Sequence, residues 1–129
     1  MFSLGIDHSM AHTLSAHYDT PHGVACAMLL PIAMEFNKPV VTERLAEVAK
    51  AMGVDTTGMT TDEAADAAIA AVKQLSADVN IPTVCQAMKA EEIDQLATDA
   101  MNDACFPGNP REATHEDVVE LFKKICPEA

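Results

Sequence analysis

His22-Gly23-Val24-Ala25-Cys26-Ala27-Met28-Leu29-Leu30-Pro31-Ile32-Ala33-Met34-Glu35-Phe36 is the most apolar stretch of the chain, and its hydrophobic residues fall on every side of a helix. A helix without a polar face is a buried one, so this stretch predicts the central helix of the domain. Pro31 predicts a kink or an early stop within it, and Asn37-Lys38-Pro39 its end.

On the N-terminal side, His8-Ser9-Met10-Ala11-His12 lies in a helix expected from about Leu4 to Tyr18. Residues four apart stack on one helical face, so His8 and His12 point the same way. Asp19-Thr20-Pro21 breaks this helix, and the resulting hairpin can bring His22 back beside His8 or His12. Imidazoles converging from two elements are what a zinc or iron site needs, while surface or capped core histidines produce the same spacing. No Glu lies between His8 and His12, so the metalloprotease pattern is absent. His17 is rotated off the His8/His12 face and reads as a partly exposed polar residue; Asp7 also points elsewhere.

On the C-terminal side, Leu45, Val48, Ala49 and Met52 mark a helix over about 42–52, with Gly53 as its cap. Thr60 with Glu63 forms a capping box that opens a helix to about Val79, with Ala65, Ala68, Ile69, Val72 and Leu75 inward and Asp62, Asp66 and Lys73 wet. A turn at Ile81-Pro82-Thr83 precedes a short helix at 84–88, and Ile93, Leu96, Ala97, Ala100, Met101 and Ala104 stripe another over 91–105. After the breakers of 106–110, Thr114 caps a last helix that turns Val118, Leu121, Phe122 and Ile125 inward. No strand pattern interrupts these elements. The expectation is an all-α bundle of six or seven helices around the buried central one, a single domain over 1–129.

Composition agrees: 49% hydrophobic but only 4% aromatic residues, without Trp, favour helices over sheets. Twenty acidic against eight basic residues give a formal charge of −12, which argues against nucleic acid and anionic membrane surfaces as partners. The first basic side chain is Lys38, so no charged leader precedes the apolar run, which is too short to span a bilayer and contains Glu35. A soluble, cytoplasmic chain is expected. Cys26, Cys85, Cys105 and Cys126 form no C-x-x-C pair and read as reduced core thiols, and none of the five glycines builds a phosphate-binding loop.

The run His8-Ser9-Met10-Ala11-His12, nine intervening residues, the segment His22 to Pro31 and then Glu35-Phe36-Asn37 resembles the histidine signature of the iron-containing, group III alcohol dehydrogenases. Ala51-Met52-Gly53, Gly58-Met59, Asn80-Ile81-Pro82 and the stretch from Ala104 to Arg111 resemble that family's C-terminal helical domain, of dehydroquinate-synthase-like fold. Pro107 to Thr114 is most similar to its lactaldehyde reductase or 1,2-propanediol oxidoreductase branch. The resemblance implies that His8 and His22 are metal ligands, completed in the family by an Asp and a His from an upstream region, and that His12 assists proton transfer near the nicotinamide. Fe2+ is the implied ion, with Zn2+ possible. NAD(P) is implied only with the family's N-terminal nucleotide-binding domain, whose cofactor loop this sequence lacks.

The implied function is that of a metal-binding C-terminal domain of an alcohol dehydrogenase acting on small alcohols, diols and aldehydes, inactive alone and prone to self-association through an exposed apolar patch. The alternative is a non-catalytic helical remnant, or a subunit that pairs with a separate N-terminal chain. Three features depart from the family pattern: Cys26 stands where Asn is usual, Asp7 adjoins His8, and Met1 to Asp7 differ from the usual lead-in.

Overall fold

Residues Gly5–Tyr18 form α1, which ends where Asp19 adopts a left-handed backbone (φ 54°). Asp tolerates that conformation better than most residues, and the Ser15 hydroxyl closes the turn by donating to the Thr20 carbonyl at 2.8 Å. Pro21 then leads into α2, His22–Ala51. The computed structural model describes residues 5–127, so the expected helix start at Leu4 and the lead-in Met1–Leu4 lie outside the described residues.

α2 corrects the expectation of two separate helices. The backbone stays helical through Pro31 and passes Asn37-Lys38-Pro39, with one non-helical residue, Val41 (φ −123°, ψ 27°). Proline 31 strips a donor from the Ala27 carbonyl, but both residues line a surface groove where water can serve instead. The break falls two residues beyond Pro39, and Thr42 braces it by donating its hydroxyl to the Lys38 carbonyl at 2.6 Å. Gly53, at φ 86°, then terminates α2.

Helix α3 (Thr61–Asp78) opens on the expected capping box, Thr60 with Glu63. The segment 84–88 is turn rather than helix, tied down by the Cys85 N–H donating to the Ile125 carbonyl at 2.8 Å. A 3₁₀ turn at Ala90–Glu92 leads into α4 (Ile93–Met101), and a second, Phe106–Gly108, follows it. α5 (His115–Lys123) has a capping box of Thr114 with Asp117. The described residues thus hold five α-helices and two 3₁₀ turns, with no strand. The expected count of six or seven is reduced because α2 spans two expected helices and 84–88 forms none.

Two cores flank α2. Among the described residues, nineteen buried ones, including Met10 and Leu14 of α1, Leu29 of α2, Leu96 of α4 and Phe122 of α5, form the larger one. Eight more, centred on Leu45, Ala49, Ala68 and Ile69, join the second half of α2 to α3. Lys38 bridges that pair by meeting Asp62 and Asp66 at 3.0 and 2.7 Å. The central helix is less enclosed than expected: Leu30, Pro31 and Ile32 are half-buried, and Val40 is exposed. By length and composition α2 could cross a membrane, yet it contains Glu35 and Lys38, both ion-paired, and packs against α1 and α3. Leu75, Met52 and Ala104, expected on inward stripes, are exposed because each lies in the last turn of its helix or beyond, where no neighbour covers it.

Candidate metal centre

The α1–α2 hairpin performs the convergence that the histidine spacing allows. His22, the first residue of α2, stacks its ring on His12 at a centroid separation of 5.2 Å and an interplanar angle of 21°. His8, one turn before His12, lies 6.4 Å from His22 by the same measure. All three rings are exposed on one face. Two imidazoles sharing a tetrahedral ion have centroids about 5 Å apart, so the His8 and His22 rings need to close by only about 1 Å. This donor set fits a borderline metal ion, with the remaining positions left open.

His17 stays out of the group, as expected, and meets Asp99 Oδ2 at 2.7 Å. That contact, reinforced by Gln95, holds the Asp99 carboxyl below its ordinary range. His115 engages α4, at the Asp94 carbonyl and the Thr98 hydroxyl.

His12 has a partner that the sequence did not reveal. Its Nδ1 lies 3.0 Å from Asp103 Oδ2, just beyond α4. Burial alone would raise the Asp103 carboxyl, but the Cys105 N–H, at 2.8 Å, and His12 hold it below the ordinary range. An ionised carboxylate only accepts, so His12 donates from Nδ1, and in the neutral ring Nε2 is left as the acceptor. Such a carboxylate–imidazole pair fixes both tautomer and ring direction.

Two of the three departures from the family pattern, Asp7 and Cys26, meet behind the histidines. Cys26, one turn along α2, places Sγ 3.4 Å from His22 Nε2. Burial pushes its thiol up, and the charge of Asp7 adds to that shift. Asp7 is buried, and its Oδ1 is the one buried side-chain oxygen or nitrogen among the described residues without a hydrogen-bond partner. Burial pushes the Asp7 carboxyl up to about 7, with His8 drawing it partly back. Cys26 and Cys105 are therefore half-buried thiols in polar company, and only Cys85 and Cys126 are the core thiols expected.

A second feature missed in the sequence is the latch that fixes the loop carrying Cys105. Asn109 and Asn37 exchange amide hydrogen bonds at 3.0 and 2.8 Å, and Asn109 Oδ1 also accepts from the Ile6 N–H at 3.2 Å. Arg111 donates to the Phe36 carbonyl at 2.7 Å and lies 4.3 Å above the Phe36 ring. Gly5 lets the loop touch α1, since a Cβ there would stand 2.4 Å from the Cys105 carbonyl oxygen. The Gly108-Asn109-Pro110-Arg111 motif was the available signal, though its role is structural.

Residues 1–126 match the Fe-containing alcohol dehydrogenase family, C-terminal. Lactaldehyde reductase of Escherichia coli K12 is 48% identical over 121 residues, covering 92% of this chain and 32% of that protein. The crystal structure of 1,3-propanediol oxidoreductase superposes with a TM-score of 0.91 at 36% identity, covering 93% of this chain and 32% of that one. Alcohol dehydrogenase from Oenococcus oeni gives 0.88 at 45% identity, over 92% and 32%. The chain thus spans about a third of the length of the relatives it matches.

Proposed function

The chain belongs to the Fe-containing alcohol dehydrogenase family, as its C-terminal helical domain, and from that premise we propose that it supplies half of the metal site of an NAD(P)-linked alcohol dehydrogenase. The observation that carries this reading is the meeting of His8, His12 and His22 on one open face. His8 and His22 would hold the ion, Fe2+ in the first place and Zn2+ as the alternative. The chemistry such an ion supplies is Lewis acidity toward an alcohol or carbonyl oxygen. His12 Nε2 takes up the hydroxyl proton, and Asp103 keeps that nitrogen free by holding the other. Small alcohols, diols and the matching aldehydes would be the substrate class, and a nicotinamide, when bound, would supply the hydride chemistry. A cytoplasmic setting goes with this reading, as does self-association through exposed Leu75 and Val79.

The test has two parts. Mixing the chain with a family N-terminal nucleotide-binding polypeptide should give alcohol-dependent reduction of NAD(P), lost in His22→Ala. No activity under any mixing supports instead a non-catalytic helical subunit. Anaerobic iron titration after dialysis against a chelator should show weak binding that His8→Ala and His22→Ala abolish and His17→Ala leaves alone. Binding indifferent to His8 and His22 overturns the ligand assignment.

A further inference from the structure

We propose that His12, Asp103 and Cys105 form a second metal site, for zinc or an ion of similar softness, separate from the His8 and His22 pair. One ligand atom from each of the three, an imidazole nitrogen, a carboxylate oxygen and the thiol sulfur, lies within 4.8 Å of the others. That combination of donors is one zinc accepts, with water in the fourth position. Tetrahedral donors at zinc bond lengths stand roughly 3.2–3.8 Å apart, so the group closes on an ion by side-chain adjustments of about 1 Å. Carboxylate and thiolate together offset the charge of a divalent ion, which the His8 and His22 pair cannot do.

The group is held from both sides. His12 and Gly5 share α1, and the close approach of Gly5 to the Cys105 carbonyl fixes the loop against that helix. The Cys105 N–H holds Asp103 Oδ1, which leaves Oδ2 directed at His12 Nδ1. Without an ion the imidazole proton occupies the place between Nδ1 and Oδ2. Zinc replaces that proton, which moves to Nε2 as the neutral ring changes tautomer, while the Cys105 thiol releases its own proton to solvent. Burial and Asp103 hold that thiol above its ordinary range, so affinity should rise with pH. The inference rests on the proposed function only in its consequence, because an ion on Nδ1 leaves Nε2 protonated and stops His12 from accepting a proton.

The test is cobalt(II) binding to the chain as it stands, which needs no hydride transfer and so reads the metal site apart from the relay. One equivalent should produce thiolate-to-cobalt charge-transfer absorption that persists in His22→Ala and in Cys26→Ser and is lost in Cys105→Ser. Zinc should displace the cobalt, and Asp103→Asn should weaken zinc by at least the 10–100-fold that loss of a supporting partner costs. X-ray absorption of the zinc-loaded wild type should show one sulfur neighbour, which keeps the proposal testable if Cys105→Ser does not fold. An all-nitrogen-and-oxygen shell, or a band lost in Cys26→Ser and kept in Cys105→Ser, overturns it.

Discussion

Asp7 lies one residue before His8, with its carboxyl buried in the seam between α1 and α2 and one oxygen without a partner. His8 on its own helix acts on it, and it acts in turn on the Cys26 thiol across the seam. The folded-state value of about 7 exceeds the ordinary 3.8, so between those pH values the folded chain keeps a proton that the unfolded chain has lost. Stability therefore falls as pH rises from about 4 to about 7, by roughly 2–4 kcal/mol as an upper range. Asp7→Asn should remove that slope, leaving stability near pH 4 little changed and raising it at pH 8. Denaturant unfolding of both chains in the presence of a chelator checks this, and parallel curves for the two proteins would contradict it. Sequence could place Asp7 off the histidine face, because helical periodicity fixes direction. It could not show the seam at Cys26, since that depends on how closely the two helices pack.

At the scale of elements, helix direction and capping were legible because they rest on neighbours in sequence: the Thr60 capping box and the Thr114 N-cap are formed as expected, and Asp117 extends the latter into a capping box. The continuity of α2 was not, because a proline weakens a helix locally while the packing of Leu45 and Ala49 on α3 rewards continuing it. Nor was the partner of His12, which stands 91 residues away and is delivered by the loop that Asn109 latches. Deleting that latch should be costly. Asn109→Ala removes the partner of the fully buried Asn37 amide and of the Ile6 N–H, at about 1–3 kcal/mol for each buried group left unsatisfied. Lys38→Ala, which removes two solvent-screened ion pairs, should cost less than the Asn109 substitution. Thermal or urea unfolding compares them directly, and equal losses would show that the amide pair is not what holds the loop.

The whole molecule divides its stability unevenly between the two sides of α2. The larger core takes side chains from α1, α2, α4 and α5 and includes Phe122, Leu96 and Met10, all essentially inaccessible. The smaller one joins α3 to the second half of α2, and alanines supply three of its eight buried residues. Alanine buries little apolar area, so each contact there contributes little transfer free energy. α3 packs mainly on α2, and its outer end leaves Leu75 and Val79 exposed. Regions with few buried apolar contacts open at lower free energy than the global transition. The amides of α3 should therefore exchange through a partial opening that leaves α1, α4 and the first half of α2 protected. The candidate metal face lies wholly on the better-protected side. Val72→Ala should accelerate exchange in α3 and in residues 42–51 while leaving α1 and α4 unchanged, whereas Phe122→Ala should accelerate exchange throughout. Native-state hydrogen exchange read by mass spectrometry separates these patterns. Uniform acceleration by Val72→Ala would mean that the kink at Val41 transmits unfolding across α2 and that the two cores melt as one.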